Sequence, residues 1–292
     1  GQDNVVDTFS FQDGSSISGV MTAGGGVDGG GDRIFDIANY SNLSLTYNAD
    51  LSTLSGFERI DGNGGSLSRG ASSYDTWTVY DFDADASAEV DGINDGTVSI
   101  GNDANTTVQF VNFASLIGGD NVADAFTVTG SISSIDGGTF AEVTQQNSLT
   151  GRTEASRYDL TGAFSGDVQT AADVVYVTSF SNIHELIGNS SADELVGRVQ
   201  PNTWTIAATN TVSESVDTPT DTLTFSGFTT LTGNTGVDTF DLNTSFGGTL
   251  NGGADADVFN IDNVAVTVAI IDGQGGIDTL TINDATGYTH AN

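Results

Sequence analysis

Between residues 228 and 282 one phrase is written three times. It reads GNTGVDTFDL from Gly233, GGADADVFNI from Gly252 and GQGGIDTLTI from Gly273. Each copy sets an Asp five residues after its first Gly (Asp238, Asp257, Asp278) and an apolar residue two further on (Phe240, Phe259, Leu280). Glycine supplies the positive φ angles of a tight turn. The alternation after the Asp has the period of two that marks a strand with one buried face. Successive Asp residues lie 19 and 21 positions apart, and a near-constant step on this scale marks a chain that winds in stacked circuits. Residues 243–248 and 262–263 break the alternation on the opposite side, so each circuit is two strands and two turns. No such circuit buries its apolar face alone; its neighbours must cover it. The expected fold is all-β, a parallel β-solenoid of about 20 residues per circuit, continuous over residues 1–292 as a single domain.

The phrase resembles the glycine- and aspartate-rich nonapeptide repeat of RTX-type calcium-binding proteins. Gly252, Gly253, Asp257 and Phe259 match it, as do Gly273, Gly276, Asp278 and Leu280, and Gly233, Gly236, Asp238 and Phe240. Asn234 and Gln274 replace its second Gly, Asp255 its third, and every second turn lacks the Asp. Over most of its length the chain resembles the long imperfect repeats of giant secreted bacterial adhesins and surface proteins. The resemblance implies that Ca²⁺ sits between stacked turns, held by Asp238, Asp257 and Asp278 with backbone carbonyls, with Asp255 and Asp193 as further candidate ligands. Ca²⁺ takes six to eight oxygens, which such turns can offer. An Asp also caps a turn through its own backbone hydrogen bonds. Both readings stand for the three stacked positions, and capping is favoured for Asp7, Asp32, Asp124 and Asp193.

The same grammar runs through the rest of the chain. Asp3, Asn4, Val5, Asp7 and Phe9 recur as Asp120, Asn121, Val122, Asp124 and Phe126, and Asp32 stands in another Gly-rich turn. A cassette of apolar anchor, Leu or Ile three residues on, and Gly two further appears four times: Phe57/Ile60/Gly62, Phe113/Leu116/Gly118, Ile183/Leu186/Gly188 and Phe228/Leu231/Gly233. The Gly188 copy carries Asp193 and then Leu195, whereas the Gly62 copy has Leu67 where its Asp would stand. The spacing between copies is uneven, which predicts inserted loops or extra circuits; residues 81–95 and 140–153 are the expected loops. Phe57, Phe113, Phe126, Phe228, Phe240 and Phe259 are expected to stack internally.

Charge narrows the function. Six basic residues, all Arg, face 39 acidic ones, for a net charge of −33. Self-repulsion at this level opposes compaction unless cations bind or screen it, and millimolar extracellular calcium or high salt supplies them. Nucleic acid is disfavoured as a partner, since little here neutralises phosphates. The chain has no Cys, which removes disulfides, thiolate catalysis and thiolate metal sites. No apolar run is long enough to insert into a membrane. His184 and His290 are solitary, and no nucleophile elbow or phosphate loop appears. The expectation is a non-enzymatic extracellular structural protein: a segment of a surface fibre, adhesin or matrix polymer, associating head to tail with itself, with surface glycans as a further partner class. The rivals are a β-helix enzyme acting on a neutral glycan and the calcium-folded export segment of a larger secreted enzyme.

Overall fold

Alternation of apolar and polar residues governs the architecture. In a computed structural model, the residues described are 8–12, 21–22, 37–41, 43, 48–55, 57, 59–69, 75–80, 95–99, 107–140, 146–214, 222–262 and 266–283. Their strands form two long, mostly parallel sheets with no closed barrel, the all-β solenoid expected from the repeats. The chain divides into two compact units, residues 1–148 with 176–178, and residues 149–175 with 179–292. The expected loop at 81–95 lies outside the described residues up to position 94, as do positions 141–145 of the second loop, Asp7, Asp32 and His290. Within the second loop, Ser148–Thr150 is a strand.

In the second unit the repeats pair in register. Thr239–Leu242 runs parallel to Val258–Ile261, which runs parallel to Thr279–Ile282. On the other sheet Glu194–Val196, Thr230–Thr232, Phe246–Gly253 and Val268–Gln274 stack in the same sense. Residues in register form columns. Trp204, Phe240 and Phe259 stack face to face, with ring centroids 5.6 and 4.9 Å apart. Leu195, Leu231 and Leu250 form the facing buried column. In the first unit Trp77 stacks on Phe126 at 5.8 Å, and Phe57 and Phe113 are buried. The anchors of the cassette are therefore internal, as expected.

One expectation needs correction. The extra length between cassettes includes antiparallel strands inserted within a sheet, and not only loops or further parallel circuits. Asp95–Ser99 lies antiparallel between Thr76–Tyr80 and Thr107–Val111. Asn210–Glu214 does the same between Asn202–Ile206 and Leu223–Ser226, and Ser165–Thr170 pairs antiparallel with Ser156–Gly162. The outer strands of each trio resume parallel pairing: Thr76–Tyr80 with Ala125–Val128, Thr107–Val111 with Arg59–Asp61, and Asn202–Ile206 with Thr239–Leu242. The order inside a trio is reversed, so its first strand meets the later circuit and its last strand the earlier one.

Candidate functional site

Each repeat turn joins the end of a strand in one sheet to the Asp that opens a strand in the other. The three turns share a backbone with positive φ at the second and fourth positions: Asn234 (88°) and Gly236 (120°), Gly253 (112°) and Asp255 (71°), Gln274 (60°) and Gly276 (140°). The departures from the nonapeptide pattern thus keep its left-handed corners, at a cost of about 1–2 kcal/mol for each non-Gly residue. Gly at the first position answers a different need. A Cβ at 233 or 252 would stand 2.3 Å from Oδ2 of Asp238 or Asp257, so the Gly and the Asp five residues on form one steric unit.

The structure brings Asp238, Asp257 and Asp278 into one column. The Asp238 N–H donates to Asp257 Oδ1 (2.8 Å), and the Asp257 N–H donates to Asp278 Oδ1 (3.0 Å). One rung earlier stands Asn202, whose N–H and Nδ2 both donate to Asp238 Oδ1. Each of the three Asp side chains ties its own strand to the strand before it. The first unit repeats the device: the Asp75 N–H donates to Asp124 Oδ1 (2.8 Å), and the Asp124 N–H to Asn147 Oδ1 (2.7 Å). Sequence reasoning missed Asp75, Asn147 and Asn202 as rungs. The signal was present in the alignment of NTWTI from Asn202 with DTFDL from Asp238, where Asn stands for Asp.

Two candidates fall outside the column. Asp193 opens a strand of the other sheet; its Oδ1 accepts from the Ser156 N–H (2.8 Å) and its Oδ2 from the N–H groups of Asn189 (2.7 Å) and Ser190 (2.8 Å). It is a turn cap with both oxygens engaged. Asp255 sits at the left-handed corner of its turn, exposed, two residues before Asp257.

Electrostatics separates the column from an ordinary set of caps. Oδ2 of Asp238 and Oδ2 of Asp257 are buried and accept no hydrogen bond. The Gly252 carbonyl oxygen lies 2.2 Å from the Cβ point at 233, and the Gly273 carbonyl oxygen 2.7 Å from that at 252. Each orphan oxygen therefore shares its glycine with a carbonyl oxygen of the next circuit. Burial pushes the Asp238 carboxyl up to about 7, with Asp257 repelling it and Asn202 and the Arg198 charge pulling it down. Burial also raises Asp257, and the charges of Asp278 and Asp255 add to the rise. Two carboxylates a strand spacing of about 5 Å apart repel by about 3 kcal/mol at an effective dielectric of 20. A hard cation is the neutraliser that carboxylate and carbonyl oxygens select. Asp124 differs, because its Oδ2 accepts the Gly119 N–H (2.7 Å). Among the described residues no three His, Asp or Glu side chains gather as a metal cluster, so a bound ion would draw on glycine carbonyls as well as carboxylates.

Fold and site together define a class: an imperfect-repeat solenoid whose circuits are tied by a column of Asp and Asn side chains. No protein-family model, curated protein or solved structure matches the chain. Among the described residues no helix is long and apolar enough to cross a membrane.

Proposed function

We propose that the chain is a structural segment of an extracellular fibre, adhesin or matrix polymer, stiffened by Ca²⁺ at its aspartate column. The observation that carries this reading is the pair of buried, donor-less Oδ2 atoms of Asp238 and Asp257, in register with Asp278. A chain of net charge −33 stacks acids inside itself only where something neutralises them. Asp238, Asp257 and Asp278, with the carbonyls of Gly252 and Gly273, are the residues that would hold the ion. The bound ion would supply charge neutralisation and cross-linking between circuits, and no chemistry. The protein's own contribution is mechanical: parallel backbone ladders, aromatic columns, and a side-chain rung at each circuit.

Self-association belongs to the same reading. Thr279–Ile282 carries the column on to Leu280, which is 53% exposed beside Ile277 at 87%. An apolar strand edge of this kind accepts a further circuit by strand addition, here one from a second copy.

Thermal unfolding in chelator and in millimolar CaCl₂, with electron microscopy of both samples, tests the reading. The expected outcome is a rise in Tm with calcium and linear assemblies in its presence. A Tm unmoved by calcium contradicts the cation role, and discrete monomers in both conditions contradict the fibre.

A further inference from the structure

We propose that each inserted trio of strands is a mechanical clasp, which tension on the chain tightens instead of peeling open. As a load-bearing device it rests on the structural reading above; its strand order does not.

In the second unit the chain reaches five strands of one sheet in the order Glu185–Ile187, Asn202–Ile206, Asn210–Glu214, Leu223–Ser226 and Thr239–Leu242. In space the middle three are reversed. Leu223–Ser226 lies beside Glu185–Ile187, Asn210–Glu214 comes next, and Asn202–Ile206 lies beside Thr239–Leu242. The strand reached first therefore hooks over the strand reached last. A plain circuit contacts only its neighbours and leaves the stack by opening one interface. Here tension draws Asn202–Ile206 back towards the earlier circuit and Leu223–Ser226 on towards the later one, so both press on the strand between them. Unlatching requires Asn202–Ile206 to lose the ladders on both of its sides.

Side chains pin the hook. Trp204 is fully buried; it meets Phe225 of the last strand edge-on at 5.8 Å and stacks on Phe240 of the later circuit at 5.6 Å. Asn202 at the head of the hook donates its N–H to Asp238 Oδ1. That rung joins residues 36 apart, against 19 and 21 for the plain circuits. The first unit carries the same clasp. Thr107–Val111 lies beside Arg59–Asp61, Asp95–Ser99 comes next, and Thr76–Tyr80 lies beside Ala125–Val128. Trp77 again meets the Phe of the last strand, Phe110 at 6.2 Å, and stacks on Phe126 at 5.8 Å. Gly96 of the middle strand makes room for Phe110, since a Cβ there would stand 2.5 Å from the ring. The rung from Asp75 to Asp124 joins residues 49 apart.

Single-molecule pulling of the full chain, held by tags at its two ends in chelator, tests the clasp. At about 3.3–3.6 Å per residue, plain circuits are expected to release about 60–75 Å each. The clasps are expected to release about 120–130 Å and about 160–175 Å, each in one step and at higher force than a plain circuit. A closed Thr203→Cys/Thr239→Cys disulfide is expected to delete the first of these two long steps and leave the other. The proposal is overturned if the clasp segments come out in smaller pieces, if they rupture at the force of the plain circuits, or if the deleted step survives the disulfide. In chelator the traces owe nothing to calcium. Long steps together with a Tm that calcium does not move keep the clasp and sink the cation column; short steps with a calcium-raised Tm do the reverse.

Discussion

Asp257 shows how much one residue does in this chain. Its Oδ1 holds the N–H of the preceding rung, its own N–H reaches the next, and its Oδ2 fills the space that Gly252 leaves open. Asn147, whose Oδ1 accepts the Asp124 N–H, shows that an amide fits a rung. Asp257→Asn is therefore expected to raise Tm in chelator and to lower the additional Tm gained with calcium, which differential scanning calorimetry in the two buffers reads. Gly252→Ala places a methyl 2.3 Å from that Oδ2; a clash of this kind costs about 1–3 kcal/mol, visible as a lower urea midpoint. Asp124 gives the pH dependence. Burial pushes its carboxyl up to about 7, with the Asp75 charge adding to the rise and Arg69 opposing it. A folded pKa above the unfolded one stabilises fully below the unfolded value, and that stability is lost as pH rises through the folded value. Urea midpoints should thus fall between pH 5 and pH 8, and by less in Asp124→Asn, whose rung cannot ionise.

At the scale of elements, aromatic columns replace a globular core. Phe240 is clamped between Trp204 and Phe259, both parallel to it within 10°. Phe240→Ala is expected to cost about 3–5 kcal/mol, measured by chemical denaturation, because neither neighbour can close the gap without breaking its own rung. The column was legible in the sequence because the Asp and the apolar residue keep a fixed offset in every copy. The strand directions were not. TWTVY, DGTVS and TVQFV alternate alike whether they run parallel or antiparallel, since side-chain period carries no sense of direction. The register of Asp238, Asp257 and Asp278 followed from the 19- and 21-residue steps. The sheet on which Asp193 falls was not legible, because the same Gly-to-Asp spacing there opens a strand of the opposite sheet, a half-circuit change that spacing alone does not encode.

At the scale of the whole molecule, charge and architecture set the behaviour. The sequence has no Cys for thiol chemistry, and 39 acids against six Arg give it a net charge of −33. Within each unit, side-chain rungs join strands that already pair through their backbones. The rungs join strands remote in sequence, and the cysteine-free background makes that pairing directly measurable. Thr203 and Thr239 are 36 residues apart yet in register on adjacent strands. Strand neighbours at about 4.8 Å fall within the Cα separation a disulfide spans. Under mild oxidation, Thr203→Cys/Thr239→Cys is predicted to close an intramolecular disulfide in the folded protein, while Thr203→Cys/Asp241→Cys, two residues out of register, stays reduced. Closure of the second pair in place of the first, or of neither, contradicts the stacked column.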